Sequence, residues 1–140
     1  MALLPRKGLL AIAAVIDVAL HGKNRPVPAK VLADRHGLPA RHLEAVLQAL
    51  VRDGILKGVR GPRGGYELAR ERHRITADDI LRAASASEDE AQPLSSSSDL
   101  LKQVVQPAVA QAERAFSAAL RSINVEDLAR RAEPHRDRSR

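Results

Sequence analysis

The chain has no cysteine and no tryptophan, and one tyrosine and one phenylalanine in 140 residues. Without cysteine it cannot form disulfides, thiolate zinc sites, cysteine-ligated iron–sulfur clusters or thiol redox sensors. A reducing cytoplasm suits such a composition. With only these two aromatics it lacks the stacking platforms that single-strand nucleic-acid binders use. Its core must therefore be built from Leu, Ile, Val and Ala, which favours close-packed helices. No apolar run approaches the roughly 20 residues of a membrane span. Arg6 and Lys7 before Leu9–Ile16 imitate a weak signal peptide, but Asp17 interrupts the run, and Arg25 and Lys30 follow. A buried first helix accounts for the same residues, and the expected location is cytoplasmic, with no membrane partner.

Catalytic equipment is equally sparse. There is no Cys nucleophile, no Ser in a nucleophile elbow and no phosphate-cradling Gly-rich loop between strand and helix. Gly61–Gly65 lacks the Lys-Ser/Thr of a phosphate loop. His21, His36, His42, His73 and His135 are scattered, with no i, i+4 His pair for a metal. Glu88, Asp89 and Glu90 form an acidic cluster that suits a hard cation, but a solvated loop explains them as well. No enzyme activity, cofactor or metal is expected.

What the chain does have is positive charge. Lys and Arg number 23 against 17 Asp and Glu, a formal net charge of +6. Such a surplus on a small domain is the footprint of a phosphate-backbone binder. Part of it lies in the tail, at Arg130, Arg131, Arg136, Arg138 and Arg140. The rest is placed more tellingly. In Arg60-Gly61-Pro62-Arg63-Gly64-Gly65-Tyr66, three glycines and a proline force a tight exposed turn. Apolar residues flank it: Ile55, Leu56 and Val59 before, Tyr66 and Leu68 after. This predicts a β-hairpin with a cationic tip.

The order of elements gives that hairpin a context. Gly8 to about Leu20 reads as a helix that is apolar on most of its surface, hence buried on several sides. Pro28 suits the first turn of a short second helix, and Gly37 its C-terminal cap. Pro39 opens a third helix to about Asp53, with Leu43, Val46, Leu47 and Leu50 as its inner stripe. Two short helices, a tight turn, then a hairpin is the order of a winged helix-turn-helix. Ile75-Thr76-Ala77-Asp78-Asp79-Ile80 opens a fourth helix ending near Ala84. Thr76 and Asp79 have capping-box spacing, and Ile75 can staple onto Ile80.

Residues 85–98 read as a flexible polar loop. An apolar-periodic, Ala-rich segment follows from Leu101 to Ile123, with Pro107 predicting a kink or a break. Asn124 with Asp127 caps a last helix, and Pro134 onward reads as a frayed tail. The expected fold is mainly α with a small β-hairpin. Residues 1–84 form a winged helix-turn-helix domain, 85–98 the loop, 99–132 the dimerisation helices and 133–140 a disordered tail. A two-fold partner across the long helix would set two recognition helices roughly 34 Å apart, one turn of DNA.

The candidate contacts follow from this layout. Arg41 and His42, at the exposed N-terminal end of the third helix, suit guanine edges or phosphate. Arg60 and Arg63 on the wing suit the adjacent minor groove or a phosphate clamp. Arg6 and Lys7 before the first helix, and Lys30 near the start of the second, add phosphate contacts. Gln48 and Arg52 read as a solvated helix face.

At this point the chain resembles the Rrf2 family of bacterial transcription regulators, over residues 3 to about 131. The resemblance is carried by Lys7-Gly8, by Leu32-Ala33-Asp34-Arg35-His36-Gly37-Leu38 and by His42-Leu43-Glu44. Asp53-Gly54-Ile55-Leu56 and the segment Val59-Arg60-Gly61-Pro62-Arg63-Gly64-Gly65-Tyr66-Glu67-Leu68-Ala69 also match, as do Ile75–Ile80 and Asn124–Leu128. It implies a homodimer joined through the long helix that binds a palindromic operator on double-stranded DNA and usually represses.

Many family members hold an iron–sulfur cluster on three cysteines before the long helix. This chain has Ser85–Ser98 there and no cysteine. It also has Leu9-Leu10 where Arg-Tyr is common, and Pro39 and His42 where Ser and an aromatic are common. The sensing routes left are a small molecule between the long helix and the winged domain, or a protein partner. The rival reading is a winged-helix protein-interaction module whose basic face binds an acidic protein.

Overall fold

The computed structural model describes residues 6–22, 25–85 and 98–138. The helices are α1 (Arg6–His21), α2 (Ala29–His36), α3 (Ala40–Arg52), α4 (Ala77–Ser85), α5 (Gln106–Arg121) and α6 (Val125–Arg138). A two-stranded antiparallel hairpin, β1 (Leu56–Val59) with β2 (Gly65–Leu68), lies between α3 and α4. Leu56 faces Leu68, and Val59 faces Gly65. The fold is thus mainly α with one hairpin, in winged-helix order. The expected polar loop falls almost wholly on residues 86–97, outside the described residues, as does the acidic cluster Glu88–Glu90.

One core holds these elements together. Val15 and Val18 of α1, Leu32 of α2, and Leu43, Leu47 and Leu50 of α3 are fully buried with Ile55, Leu56, Ile75 and Ile80. Burying an aliphatic side chain of this size contributes about 1.5–3 kcal/mol, so the core rests mainly on aliphatic residues, with Tyr66 packed at its edge. The first helix begins at Arg6 rather than Gly8, so Arg6 and Lys7 stand on its first turn instead of before it.

Proline and glycine set the helix-turn-helix. Pro28 and Pro39 sit at the N-cap positions of α2 and α3 with extended backbone, one residue before the first turn. Each fixes the entry of its helix. Gly37 caps α2 with φ 63, a left-handed conformation in which a side chain would be strained. Its N–H donates to the Ala33 carbonyl, and α3 starts only three residues later.

A buried carboxylate locks α2 onto α1. Asp17 is 6% exposed. Arg35 Nη1 donates to Asp17 Oδ1 at 2.7 Å, and His36 Nε2 lies 3.1 Å from Oδ2. His21 Nδ1 stands 3.1 Å from Oδ1 and 2.7 Å from Arg35 Nη1. A buried charge is tolerated only when it is paired and hydrogen-bonded. Here both partners from α2 come from its last turn.

The capping box of α4 forms as spaced. The Thr76 N–H donates to Asp79 Oδ2, and the Asp79 N–H to Thr76 Oγ1, each at 3.1 Å. Ile75 and Ile80 are both fully buried beneath it. The same segment binds the start of α6: the Ala77 N–H donates to the Ile123 carbonyl and the Val125 N–H to the Ile75 carbonyl, each at 2.8 Å. The Asp127 N–H donates to Asn124 Oδ1 at 2.9 Å, which is the cap expected there.

Pro107 neither ends nor interrupts the long helix. Helical backbone runs from residue 99 to Arg121, and Leu101–Val105 forms a π turn just before the proline. The Gln106 N–H donates to the Leu101 carbonyl, five residues back. Proline has no N–H, and its ring crowds the preceding turn. A wider turn at that point makes room for it. At the other end, α6 continues to Arg138, past the point where a frayed tail is expected from Pro134. Pro134 removes one intrahelical donor without terminating the helix.

The long helix contrasts with the core. Leu100, Val104, Val105 and Val109 are 66%, 58%, 41% and 50% exposed. Toward its C-terminal end, Leu120 with Phe116 alongside packs on Ala77 and Leu81 of α4.

Two stability predictions follow from these contacts. Replacing Asp17 by Ala removes hydrogen bonds to charged groups and is expected to cost about 2–3 kcal/mol, measured by urea unfolding. Thr76→Ala deletes one cap and is expected to cost about 1 kcal/mol; an unchanged unfolding midpoint would show that the box contributes nothing.

Candidate nucleic-acid interface

The first turns of α1 and α3 converge. Arg6 and Lys7 line the same cleft as Arg41 and His42, with Leu10, Leu38 and Pro39 on its apolar side. The cleft has a volume of about 630 Å³. Residues thirty-four and more apart in sequence are thus brought to one place by the packing of α1 on α3. Arg6, Arg41 and His42 are exposed, and no side-chain partner engages them among the described residues. Lys7 is half-buried. Four basic groups lie on one rim, with no carboxylate among the lining residues, so the local field there favours negative charge.

The wing sits beside the other end of α3. Arg60 lines a shallower groove of about 340 Å³ with Gln48, Val51, Gly58, Val59, Gly65 and Tyr66. Arg63 lies at the exposed hairpin tip and lines neither groove. Lys30 is exposed on the first turn of α2 and lines neither groove as well. The structure therefore joins Arg6, Lys7, Arg41 and His42 in one cleft, and places Arg60 along the same helix on the wing side. Lys30 and Arg63 stand apart from both.

Three contacts fix the wing against the helices. The Val27 N–H donates to the Tyr66 carbonyl and the Tyr66 N–H to the Val27 carbonyl, each at 2.9 Å. This pair extends the hairpin by one bridge onto the segment entering α2. A Cβ on Gly65 would stand 2.5 Å from the Val27 carbonyl oxygen, so only glycine allows that approach. At the hairpin base, Arg70 Nε donates to the Gly54 carbonyl and Nη2 to the Asp53 carbonyl, each at 3.1 Å. Arg70 thereby satisfies carbonyls at the C-terminal end of α3, where cations are favoured.

Sequence reasoning misses Arg70, Asp17 and the contact between Gln48 and Tyr66. Gln48 is exposed, and its Nε2 donates to Tyr66 Oη at 3.4 Å. For Asp17 a signal exists: an acid inside a helix that is apolar all round must have a partner. For Arg70 and Gln48 the signal lies only in tertiary proximity.

A short helix pair, a wing pinned to its entrance and an open basic rim on the second helix define a winged helix-turn-helix protein. The Rrf2 family model, described as "Iron-dependent Transcriptional regulator", matches residues 4–131. The chain belongs to the Rrf2 family, whose members are transcriptional regulators and not enzymes.

The HTH-type transcriptional regulator IscR of Xenorhabdus nematophila is 38% identical over 86 residues, which are 61% of this chain and 52% of that protein. IscR of Vibrio cholerae is 36% identical over 86 residues, covering 61% and 50% of the two chains. The chain spans about half the length of the curated relatives it matches. Among solved structures, T. potens IscR superposes with a TM-score of 0.74 at 30% identity, covering 96% of this chain and 90% of that one. CymR (YrzC), the global cysteine regulator of B. subtilis, gives 0.68 at 28%, covering 92% and 97%.

Among the described residues, the iron in the family's description finds no matching donor set. The chain has no thiolate, and no three His, Asp or Glu side chains among the described residues are grouped to hold a metal. Where Asp17, His21 and His36 do meet, the Arg35 guanidinium occupies the space between Asp17 and His21, 2.7 Å from each.

The Gly65 contact yields a prediction. Gly65→Ala must push the wing away from Val27, and a forced methyl in a packed site costs about 1–3 kcal/mol. Calorimetry should show a lowered Tm, and an unchanged Tm would mean the wing is not pinned there.

Proposed function

We propose that this chain is a sequence-specific, double-stranded DNA-binding transcription regulator that works as a homodimeric repressor on a palindromic operator in the cytoplasm. The observation that carries the reading is the shared cleft of Arg6, Lys7, Arg41 and His42 on the exposed end of α3. Membership of a family of transcriptional regulators supports it.

In this reading α3 enters the major groove, and Arg41 and His42 meet base edges from its first turn. Arg6, Lys7 and Lys30 hold phosphates on either side. Arg60 and Arg63 carry the wing into the adjacent minor groove or onto its phosphates. The phosphate contacts supply affinity and the base contacts supply choice.

The homodimer reading rests on the long helix. Its exposed valines and Leu100 form an apolar surface of the kind that needs a partner. Ala108 and Ala112, exposed beside them, let a second helix approach closely. An antiparallel copy of the same helix is the partner whose surface is complementary by symmetry. Regulation by a small molecule or a protein partner remains the sensing route for a chain without cysteine.

Two measurements test this. Duplex binding across a salt series should give a steep negative slope of log affinity against log salt, and Arg63→Ala should weaken binding about 5- to 100-fold. A flat salt dependence, or no preference among random duplexes, would sink the reading. Replacing Val105 and Val109 together by Glu should convert a dimer to a monomer in analytical ultracentrifugation and weaken operator binding. A dimer that survives this change would place the interface elsewhere.

A further inference from the structure

The exposed face of α3 is a continuous stripe. Arg41, Glu44, Ala45, Gln48 and Arg52 are all exposed, whereas Leu43, Val46, Leu47 and Leu50 are buried. Gln48 stands seven residues from Arg41, two helical turns along the same side. It also borders the groove that contains Arg60 and the base of the wing. Gln48 is the polar side chain that faces both the recognition stripe and the wing.

Its amide is held at one end. Gln48 Nε2 donates to Tyr66 Oη at 3.4 Å, a long and weak bond. Tyr66 is itself anchored through its backbone, by the paired 2.9 Å bonds to Val27. A primary amide has two N–H donors and one carbonyl acceptor. One N–H spent on Tyr66 leaves the other N–H and the carbonyl oxygen. Those two groups on one amide plane match adenine, whose major-groove edge offers the N7 acceptor beside the N6 donor. Guanine offers two acceptors there, which a single remaining N–H and a carbonyl cannot satisfy.

We propose that Gln48 is a base-reading residue that selects adenine, and that Tyr66 positions its amide from the wing. The inference rests on the DNA-binding reading above, and adds to it a specificity residue at the junction of helix and wing. The wing then does more than grip the backbone: it orients a side chain of the recognition helix.

The test is selection from a random duplex library by the full chain at one salt concentration, repeated with Gln48→Ala, Gln48→Glu and Tyr66→Phe. Gln48 is on the surface, and unchanged thermal unfolding would verify each variant's fold. The wild type should enrich a motif with an A·T pair in each half-site. Gln48→Ala should relax that position alone, with discrimination there falling about 5- to 100-fold. Gln48→Glu should move the same position toward cytosine, whose N4 amino group donates to a carboxylate. Tyr66→Phe should blunt the adenine preference while leaving the other positions of the motif unchanged.

A Gln48→Ala motif identical to the wild-type motif overturns the assignment of Gln48, and leaves the regulator reading standing. A uniform loss of affinity for all duplexes also overturns it, because that is the signature of a backbone contact. A Gln48→Glu protein that still selects adenine overturns the proposed pairing. A Tyr66→Phe motif as sharp as the wild type removes Tyr66 from the mechanism. A wild type that enriches no motif overturns the sequence-specific reading itself, and the role of Gln48 with it.

Discussion

The pairing of one buried carboxylate constrains the geometry of the helix-turn-helix. Asp17 lies inside an otherwise apolar helix, and its charge is tolerated only because Arg35 and His36 reach it from the last turn of α2. That requirement fixes where α2 ends against α1. Gly37 then reverses the chain in a left-handed cap, and Pro39 opens α3 at once. The turn into α3 thus starts from a helix end held by a satisfied charge. An exposed ion pair would contribute little to such an arrangement; a buried one carries the cost of leaving a charge unpaired, which is what makes it orienting.

The wing obeys a second constraint of backbone rather than charge. Its strands are only four residues each, too short to be stable alone. They persist because the hairpin is bridged to Val27, because Leu56 is buried in the core, and because Arg70 ties its base to the end of α3. The cationic tip is therefore held at a set distance from the stripe of α3. Pre-organisation of this kind reduces the ordering cost when a polyanion binds.

The long helix follows different rules. Among the described residues, its apolar side chains are exposed along the N-terminal part and packed on α4 near Leu120. The π turn before Pro107 shows how a proline is accommodated where the surrounding backbone is free to widen. Such turns often mark functional positions, and this one begins three residues after Ser98, whose Oγ accepts the Leu101 N–H at 3.2 Å. The entrance of the long helix is thus capped and widened within one short segment, close to the surface that the homodimer proposal assigns to the partner.

Much of the architecture was legible in local pattern. Thr76 with Asp79, Asn124 with Asp127, Gly37 after α2 and the glycine-rich turn all act through neighbours a few residues away, so spacing alone reveals them. The apolar stripe of α3 was legible for the same reason, since helical periodicity decides which side chains turn inward. The course of the backbone at Pro107 was not, because kink, break and widened turn answer one local clash equally well. The proximity of Arg6 and Lys7 to Arg41 and His42, the anchoring of Asp17 by Arg35 and the bond from Gln48 to Tyr66 were not legible either. The sequence by itself determined the elements, their order and the basic character of the chain, because capping, turn chemistry and composition are local or additive properties. Only the tertiary structure decided which basic residues share a cleft and which polar side chain faces the wing, because those depend on the relative placement of α1, α3 and the hairpin, which long-range burial and one buried ion pair set.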